Sequence, residues 1–182
     1  MDAIRPCRPD ERPAILAIVN AAAERYRGAI PADCWHEPYM SAEQLERDIA
    51  AGVTFWGYVD EGGELVGVMG IQPVKDVDLV RHAYVRPDRQ GRGVGARLLA
   101  HLEGLGSRQI LIGTWADAAW AVRFYQGRGY TLVPRGEAAE LLRTYWTISP
   151  RQVETSVVLA KPPIVPGSRR GGAEGAPPPA GG

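Results

Sequence analysis

The sequence predicts an α/β (α+β) fold, in which a mixed, mostly antiparallel central sheet of about seven strands is flanked by helices. Two amphipathic helical patterns come first, and the stretches "VTFWGYVD", "ELVGVMGIQPV" and "DLVRHAYVRP" then predict an antiparallel meander. Helical and strand patterns alternate from there to the last apolar stretch, "VETSVVLA". The predicted order of elements is therefore β-α-α-β-β-β-α-β-α-β-α-β.

The first elements are delimited by capping and breaking residues. "AIR", residues 3–5, is a short strand candidate, and the helix that follows is predicted to start at the N-cap Asp10 and to stop at Gly28. A second, shorter helix is predicted from Ser41 to Gly52. The prolines of "AIPADCWHEPYM", which lies between them, predict an irregular segment.

The second half of the fold alternates helices with strands. Helices are predicted over residues 93–104, 117–126 and 137–145, and strands over "QILIGTW", "YTLV" and "VETSVVLA". The first of these helices is expected to face the core with Val94, Leu98, Leu102 and Leu105.

Composition indicates how many domains the chain contains and which classes of partner are not expected. The chain has 182 residues, 45% apolar content and a formal net charge of +0, which predicts one globular domain over residues 1–160. Residues 161–182 are rich in Pro, Gly and Ala and predict a disordered tail. The absence of a charge excess, of an apolar span and of a secretory signal leads us to expect no nucleic-acid or membrane partner and a cytoplasmic location.

Cysteines and histidines give no sign of a metal site. Cys7 and Cys34 are expected to be reduced thiols in a chain without an export signal. The three histidines, His36, His82 and His101, share no ligand spacing with cysteines or carboxylates, so we expect no bound metal.

The strongest local signal is the stretch "RPDRQGRGVGARLLAHLE", which joins a strand to a helix through alternating glycines. The first N–H groups of a helix have no intrahelical partner, and the helix dipole makes that end positive. Glycines allow a ligand to approach those donors, and Arg89, Arg92 and Arg97 add positive charge. The loop therefore predicts a pyrophosphate site.

Two other phosphate-binding motifs are tested against this loop. "GRGVGA" fits the dinucleotide fingerprint, and a nicotinamide-dependent oxidoreductase is one hypothesis. A dinucleotide domain usually opens with that loop, however, whereas here an antiparallel meander precedes it, and no acidic residue stands at the required offset. A P-loop is excluded because no Gly-Lys-Ser/Thr follows the glycines.

The sequence resembles the GNAT superfamily of acetyl-CoA-dependent N-acetyltransferases over essentially residues 3–160. "QGRGVG" matches the family's pyrophosphate loop Q/R-x-x-G-x-G/A, and "AVRFYQGRGY" matches its later signature A-x-x-F-Y-x-x-x-G-F/Y. The matching positions are Gln90, Gly93 and Gly95 in the first motif and Ala121, Phe124, Tyr125, Gly129 and Tyr130 in the second.

The resemblance implies direct transfer of an acetyl group from acetyl-CoA to a primary amine. The strand end "AYV" would present backbone groups to the pantetheine arm, and the glycine loop would hold the pyrophosphate. The implied cofactor-binding residues are Tyr84, Val85, Gln90, Gly91, Arg92, Gly93, Val94, Gly95, Ala96, Ala121 and Tyr125. Ala118 stands where the family often has Asn, which puts one cofactor contact in doubt, although Asp117 could partly substitute.

Three side chains are candidates for proton transfer. Tyr125 would be the general acid that protonates the departing thiolate, and an attacking amine must lose a proton to a base or to a water chain. His82, in the predicted strand "LVRHAYV", and Glu37, in the segment before the second helix, are the candidate bases. Ordered water is the alternative to both.

The acceptor is inferred from the same irregular segment and from the residues just before it. Tyr26, Trp35, His36 and Tyr39 predict a semi-enclosed pocket with aromatic walls, which favours a small amine or an amino-acid-like compound. A protein or peptide N-acetyltransferase and a non-catalytic acyl-CoA-binding regulatory module are the alternatives. The polar start of the last strand, residues 151–154, is assigned either to the acceptor end of the site or to a homodimer contact.

Overall fold

The computed structural model describes residues 3–164. Its strands are β1 (Ala3–Pro6), β2 (Thr54–Val59), β3 (Leu65–Val74), β4 (Val77–Val85), β5 (Gln109–Trp115), β6 (Thr131–Leu132) and β7 (Ser156–Lys161). Its α-helices are α1 (Arg12–Ala23), α2 (Ala42–Ala50), α3 (Val94–Glu103), α4 (Ala119–Gln126), α5 (Arg135–Tyr145) and α6 (Pro150–Thr155). Short 3-10 turns cover Pro9–Glu11, Glu24–Tyr26, Ala32–Cys34 and Pro87–Arg89.

The strands form one seven-stranded sheet in the order β1-β2-β3-β4-β5-β7-β6. Only β4 and β5 pair in parallel, and every other described pair is antiparallel. The predicted mixed, mostly antiparallel sheet of seven strands is therefore confirmed. Its helices also follow the predicted order, with one addition.

The addition is α6, which precedes the last strand where the sequence analysis predicts strand alone. Ser149 caps this helix by accepting a hydrogen bond from the Gln152 N–H at 3.2 Å, and Gln152 Oε1 accepts one from the Ser149 N–H. Pro150 occupies the first turn. The stretch "SPRQ" contains the capping-box signal of this helix, but the apolar pattern of "VETSVVLA" led to the assignment of a strand.

Helices pack on both faces of the sheet. Neighbouring residues of β4, Leu79 and Val80, belong to different buried clusters, and successive strand side chains point to opposite faces. One cluster includes residues of α3 and α4, and the other includes residues of α5 and α6. Leu105, which the sequence analysis expected on the core face of the helix, is 46% exposed. The reason is that α3 ends at Glu103, so Leu105 lies beyond the last helical turn.

Strand β7 extends to Lys161, the first residue of the predicted tail. The Lys161 ammonium donates to the Arg128 carbonyl at 3.0 Å and to Glu103 Oε1 at 3.2 Å, which anchors the strand end. The rest of the predicted tail, from residue 165, lies outside the described residues, as do residues 1 and 2.

Two irregularities of β4 shape the centre of the molecule. Residues 77–80 of β4 pair with residues 109–112 of β5, but beyond Val80 the two strands separate while β5 continues beside β7. Between the pairs Val68–Tyr84 and Gly70–Arg81, β4 also carries one residue more than β3, which is a β-bulge. The separation opens the sheet, and the bulge changes the direction of the side chains at its edge.

Candidate active site

The larger cleft lies where β4 leaves β5. It has a volume of about 540 Å³ and is bounded by the end of β4, the loop from Gln90 to Ala96, helix α4 and the turn after α1. We call it the glycine-loop cleft. Every residue predicted to bind the cofactor lines this cleft except Arg92.

The loop conformation depends on glycine at two positions. Gly91 and Gly93 have φ angles of 76° and 79°, in the left-handed region that L side chains avoid. Gly93 is also the N-cap of α3 and, having no side chain, leaves the helix without a side-chain cap. The first N–H groups of α3 are therefore not covered by a protein side chain, and they lie at the edge of the cleft.

Three arginines line the glycine-loop cleft: Arg25, Arg89 and Arg128. Arg25 lies 5.0 Å from the ring of Trp120, and Arg128 lies 3.7 Å from the ring of Phe124. Among the described residues of the lining, none carries a carboxylate. The cleft is therefore suited to an anion with several phosphate groups.

Sequence reasoning identified only Arg89 of these three cations. Arg128 lies within the second motif, three residues after Tyr125, so its proximity to Tyr125 was a usable signal. Arg97, also expected near the loop, instead donates to the Tyr58 hydroxyl at 2.6 Å. Arg25 could not be assigned, because nothing local shows that the turn after α1 approaches α4.

The second cleft is smaller, with a volume of about 190 Å³. Its walls include the rings of Tyr26, Tyr39, Tyr84, Trp115 and Trp146, and we call it the aromatic cleft. Arg81, His82 and Gln152 supply polar groups, and none of the described lining residues is acidic. Gln152 thus belongs to the site, whereas its neighbour Arg151 pairs with Asp33 at 2.9 Å.

The two clefts meet at Tyr26, Ala83, Tyr84 and Tyr125, which line both of them. Tyr26 packs on Tyr84 and Trp120 at ring separations of 6.1 and 5.2 Å, so it connects the two sides of the opening. Tyr125 is only 7% exposed. Burial, with a smaller contribution from Tyr26, raises the pKa of Tyr125 well above its ordinary value and keeps the phenol protonated.

Helix α4 presents a broad surface to the cleft. Trp120 and Phe124 line the glycine-loop cleft beside Ala121 and Tyr125. Ala118 is fully buried and does not line either cleft. The helix begins only at Ala119, so the expected spacing from residue 117 does not apply at its first turn.

His82 lies on the bulge of β4, with a φ angle of 52° that is unusual for a residue with a side chain. Its Nε2 is 2.9 Å from Asp48 Oδ2 of helix α2, and its ring stacks on Phe55 at 5.7 Å. The Nε2–Asp48 separation is that of an ion pair, but neither atom meets hydrogen-bond geometry, so we treat the contact as electrostatic. Burial lowers the pKa of His82, Arg81 lowers it further, and Asp48 opposes this.

The remaining predicted residues lie in the segment between α1 and α2. Glu37 accepts hydrogen bonds from Trp35 Nε1 at 3.0 Å and from Arg27 Nη2 at 3.1 Å, and these contacts lower its pKa. Trp35 also packs on Tyr39, at 5.5 Å between ring centres. Glu37, Trp35 and His36 are not among the residues that line the two clefts.

Comparison with known families now identifies the architecture. Residues 51–132 match the family model of the acetyltransferase (GNAT) domain. Residues 51–132 thus form a GNAT acetyltransferase domain. The protein is accordingly an acyltransferase, and the GNAT family uses acetyl-CoA.

Solved structures share this GNAT fold at low sequence identity. PaiA N-acetyltransferase from Thermoplasma acidophilum, in complex with coenzyme A, is 15% identical, with a TM-score of 0.67 over 88% of this chain and 98% of that one. The ribosomal-protein-S18-alanine N-acetyltransferase from Escherichia coli is 20% identical, with a TM-score of 0.62 over 88% of this chain and 92% of that one. Among proteins with curated functions, none matches this sequence.

The described residues contain neither a membrane-spanning helix nor a cluster of metal ligands. No helix within residues 3–164 is long and apolar enough to cross a membrane. The same residues contain no group of three or more His, Cys, Asp or Glu side chains that could hold a metal ion.

Proposed function

We propose that this GNAT domain is an N-acetyltransferase that moves an acetyl group from acetyl-CoA to a primary amine of a small molecule. The observation that carries the proposal is the meeting of the two clefts at Tyr84 and Tyr125. One cleft is cationic and lined by glycine backbone, and the other is small and aromatic. A thioester in the first cleft would therefore lie beside an amine in the second.

Two features of the glycine-loop cleft support acetyl-CoA as the donor. The uncapped N-terminus of α3 and the arginines favour the pyrophosphate and the ribose phosphate of CoA. Beyond Val80, the edge of β4 that faced β5 has no strand partner. Backbone groups along that edge can bind the amides of the pantetheine arm as a neighbouring strand would.

The aromatic cleft supports a small acceptor with an apolar body. A volume of about 190 Å³ is below that of most pockets for drug-sized ligands. Its cationic side chain, Arg81, and the absence of acidic residues from the described lining disfavour an acceptor with a second ammonium group. We therefore favour a monoamine with an aromatic or aliphatic body over a polyamine.

Protein side chains supply two of the proton movements of the transfer. His82 accepts the proton of the acceptor ammonium, and the free amine then forms the N–C bond with the acetyl carbonyl carbon. As the C–S bond breaks, Tyr125 donates its proton to the departing thiolate, and the nitrogen loses its second proton to solvent as the amide forms. Tyr125 is then reprotonated from solvent. Tyr125 suits this task because its buried phenol is neutral.

The experiment is a calorimetric titration with acetyl-CoA, combined with thiol release over a panel of amines. The panel contains arylalkyl and alkyl monoamines, amino acids, spermidine and a lysine peptide. We expect binding, and release with the monoamines. Release with the peptide alone would assign the protein to the protein N-acetyltransferases, and binding without release would favour a regulatory acyl-CoA module.

A further inference from the structure

We propose that Asp48 positions His82 for the transfer by holding the ring proton on Nε2, so that Nδ1 is the nitrogen that accepts the proton of the amine. Asp48 is a positioning residue, because it does not line either cleft and acts through His82. This inference rests on the proposed function.

The backbone of His82 has an unusual conformation. A φ of 52° is unfavourable for a residue with a Cβ, and such conformations persist only where the surroundings maintain them. Here the extra residue of the bulge turns the ring toward helix α2. Because bulges redirect side chains beside active sites, the strained position is consistent with a functional requirement.

Asp48 is itself held in place. The residue is only 5% exposed, and its two oxygens face different groups. Oδ1 accepts a hydrogen bond from Gln44 Nε2 at 3.0 Å and lies 3.5 Å from Arg81 Nη2, while Oδ2 faces His82. A carboxylate fixed in this way favours a proton on the nitrogen that faces it.

The ring of His82 has a restricted orientation. The ring of Phe55, from strand β2, stacks on His82 with an angle of 18° between the planes, so the imidazole cannot turn freely. Nε2 lies beside Asp48, and His82 lines the aromatic cleft. In the proposed arrangement, Nδ1 is therefore the nitrogen that serves the cleft.

The charges around His82 agree with this assignment. The groups that face it are Asp48 from α2, Arg81 from its own strand and the apolar Phe55 from β2. Burial lowers the pKa of His82 and thus favours the neutral imidazole that a base requires. Burial alone would raise the pKa of Asp48, but His82, Arg81 and Gln44 outweigh it, and the carboxylate stays ionised.

The direct test is the tautomer of His82, measured by nitrogen-15 NMR of the histidine rings in the protein without ligands. The variant His82→Gln identifies the signals, since the chain has three histidines. We expect the Nε2–H form in the wild type and a loss of that preference in Asp48→Asn. A wild-type ring protonated on Nδ1, or an unchanged ring in Asp48→Asn, would overturn the inference whether or not the enzyme is active.

The kinetic test separates positioning from folding. Asp48→Asn should lower kcat by roughly tenfold or more and move the acid limb of kcat/KM to lower pH, because the carboxylate raises the pKa of His82. Asp48→Glu should recover part of the activity. The matched control is Asp78→Asn, another buried carboxylate that lies on β4 outside both clefts, and its pH profile should stay unchanged.

The outcomes distinguish this inference from the proposed function. An active wild type with an unshifted profile in Asp48→Asn would overturn the positioning role and leave the proposed function standing. A wild type that releases no thiol with any acceptor would overturn the proposed function and, with it, the role of His82 as base. The tautomer measurement would then still report whether Asp48 orients the ring.

Discussion

The glycine-loop cleft and the aromatic cleft share four residues, yet the chain builds them in different ways. Most of the glycine-loop cleft comes from two short segments, residues 83–96 and residues 120–128. The aromatic cleft is assembled from six separated parts of the chain: Tyr26, Tyr39, the two diverging strands, Tyr125 and the region from Leu142 to Ser156. One is a local structure, and the other depends on tertiary packing.

This difference explains which part of the chemistry is common to the family and which is particular to this chain. Backbone N–H groups at a helix N-terminus bind phosphate whatever the neighbouring side chains are, so a short motif specifies the donor. The acceptor is selected by side chains from distant elements, and each of these can change independently. We therefore expect changes in the two clefts to affect different kinetic constants.

The largest effect is expected at the shared wall, for Tyr125→Phe. Removing the hydroxyl removes the proposed proton donor for the thiolate, while the ring remains in place against Phe124, 5.1 Å away. We expect kcat to fall by about 100-fold and the Kd of acetyl-CoA to stay nearly constant. Calorimetry and steady-state kinetics on one preparation measure both.

Tyr130→Phe is the matched control for this variant. Tyr130 is also buried, and its hydroxyl donates to Glu103 Oε1 at 2.9 Å, but it does not line either cleft. Its loss should cost about 1 kcal/mol of stability without a change in kcat. Equal turnover in Tyr125→Phe and the wild type would remove Tyr125 from the mechanism.

A smaller effect, limited to the glycine-loop cleft, is expected for Gly93→Ala. Gly93 and Gly63, in the turn between β2 and β3, have nearly the same φ, 79° and 81°, and an added Cβ would meet open space at both. Both alanine variants should therefore lose about 1–2 kcal/mol of stability from backbone strain. Only Gly93→Ala should weaken acetyl-CoA binding, by about tenfold or 1.4 kcal/mol.

Thermal unfolding measures the stability of Gly93→Ala and Gly63→Ala, and calorimetry measures the Kd of acetyl-CoA for each variant. If Gly63→Ala weakened acetyl-CoA binding as much as Gly93→Ala, the loss would come from the fold in general. If neither variant changed the Kd, the phosphate assignment of the loop would be wrong.

The contrast between the clefts also separates what the sequence could predict from what it could not. Features that depend on local pattern were predictable, and features that depend on tertiary packing were not. Periodicity and capping signals predicted the sheet and the order of its elements, because these depend on local pattern. The separation of β4 from β5 and the bulge at His82 were not predictable, since both result from pairing with other strands. The contact between His82 and Asp48 joins elements that no motif connects.

The same limit applies to the predicted acceptor residues. Tyr26 and Tyr39 line the aromatic cleft, whereas Trp35 and His36 do not. Composition shows that the segment between α1 and α2 is aromatic, but the packing of the chain determines which rings face the cleft. Trp35 packs on Tyr39 and Arg27.

The smallest effect is expected for Glu37→Gln, which tests whether that segment contributes to the chemistry. Glu37 is exposed, and its hydrogen bonds from Trp35 and Arg27 lower its pKa, so its carboxylate is a weak base. We expect kcat to change by less than about twofold and the pH profile to keep its shape, whereas His82→Gln should abolish the acid limb. A loss in Glu37→Gln as large as that in His82→Gln would require the segment to close over the acceptor during turnover. The base would then come from the segment between α1 and α2, and the separation between a local donor site and a packed acceptor site would have to include a moving element.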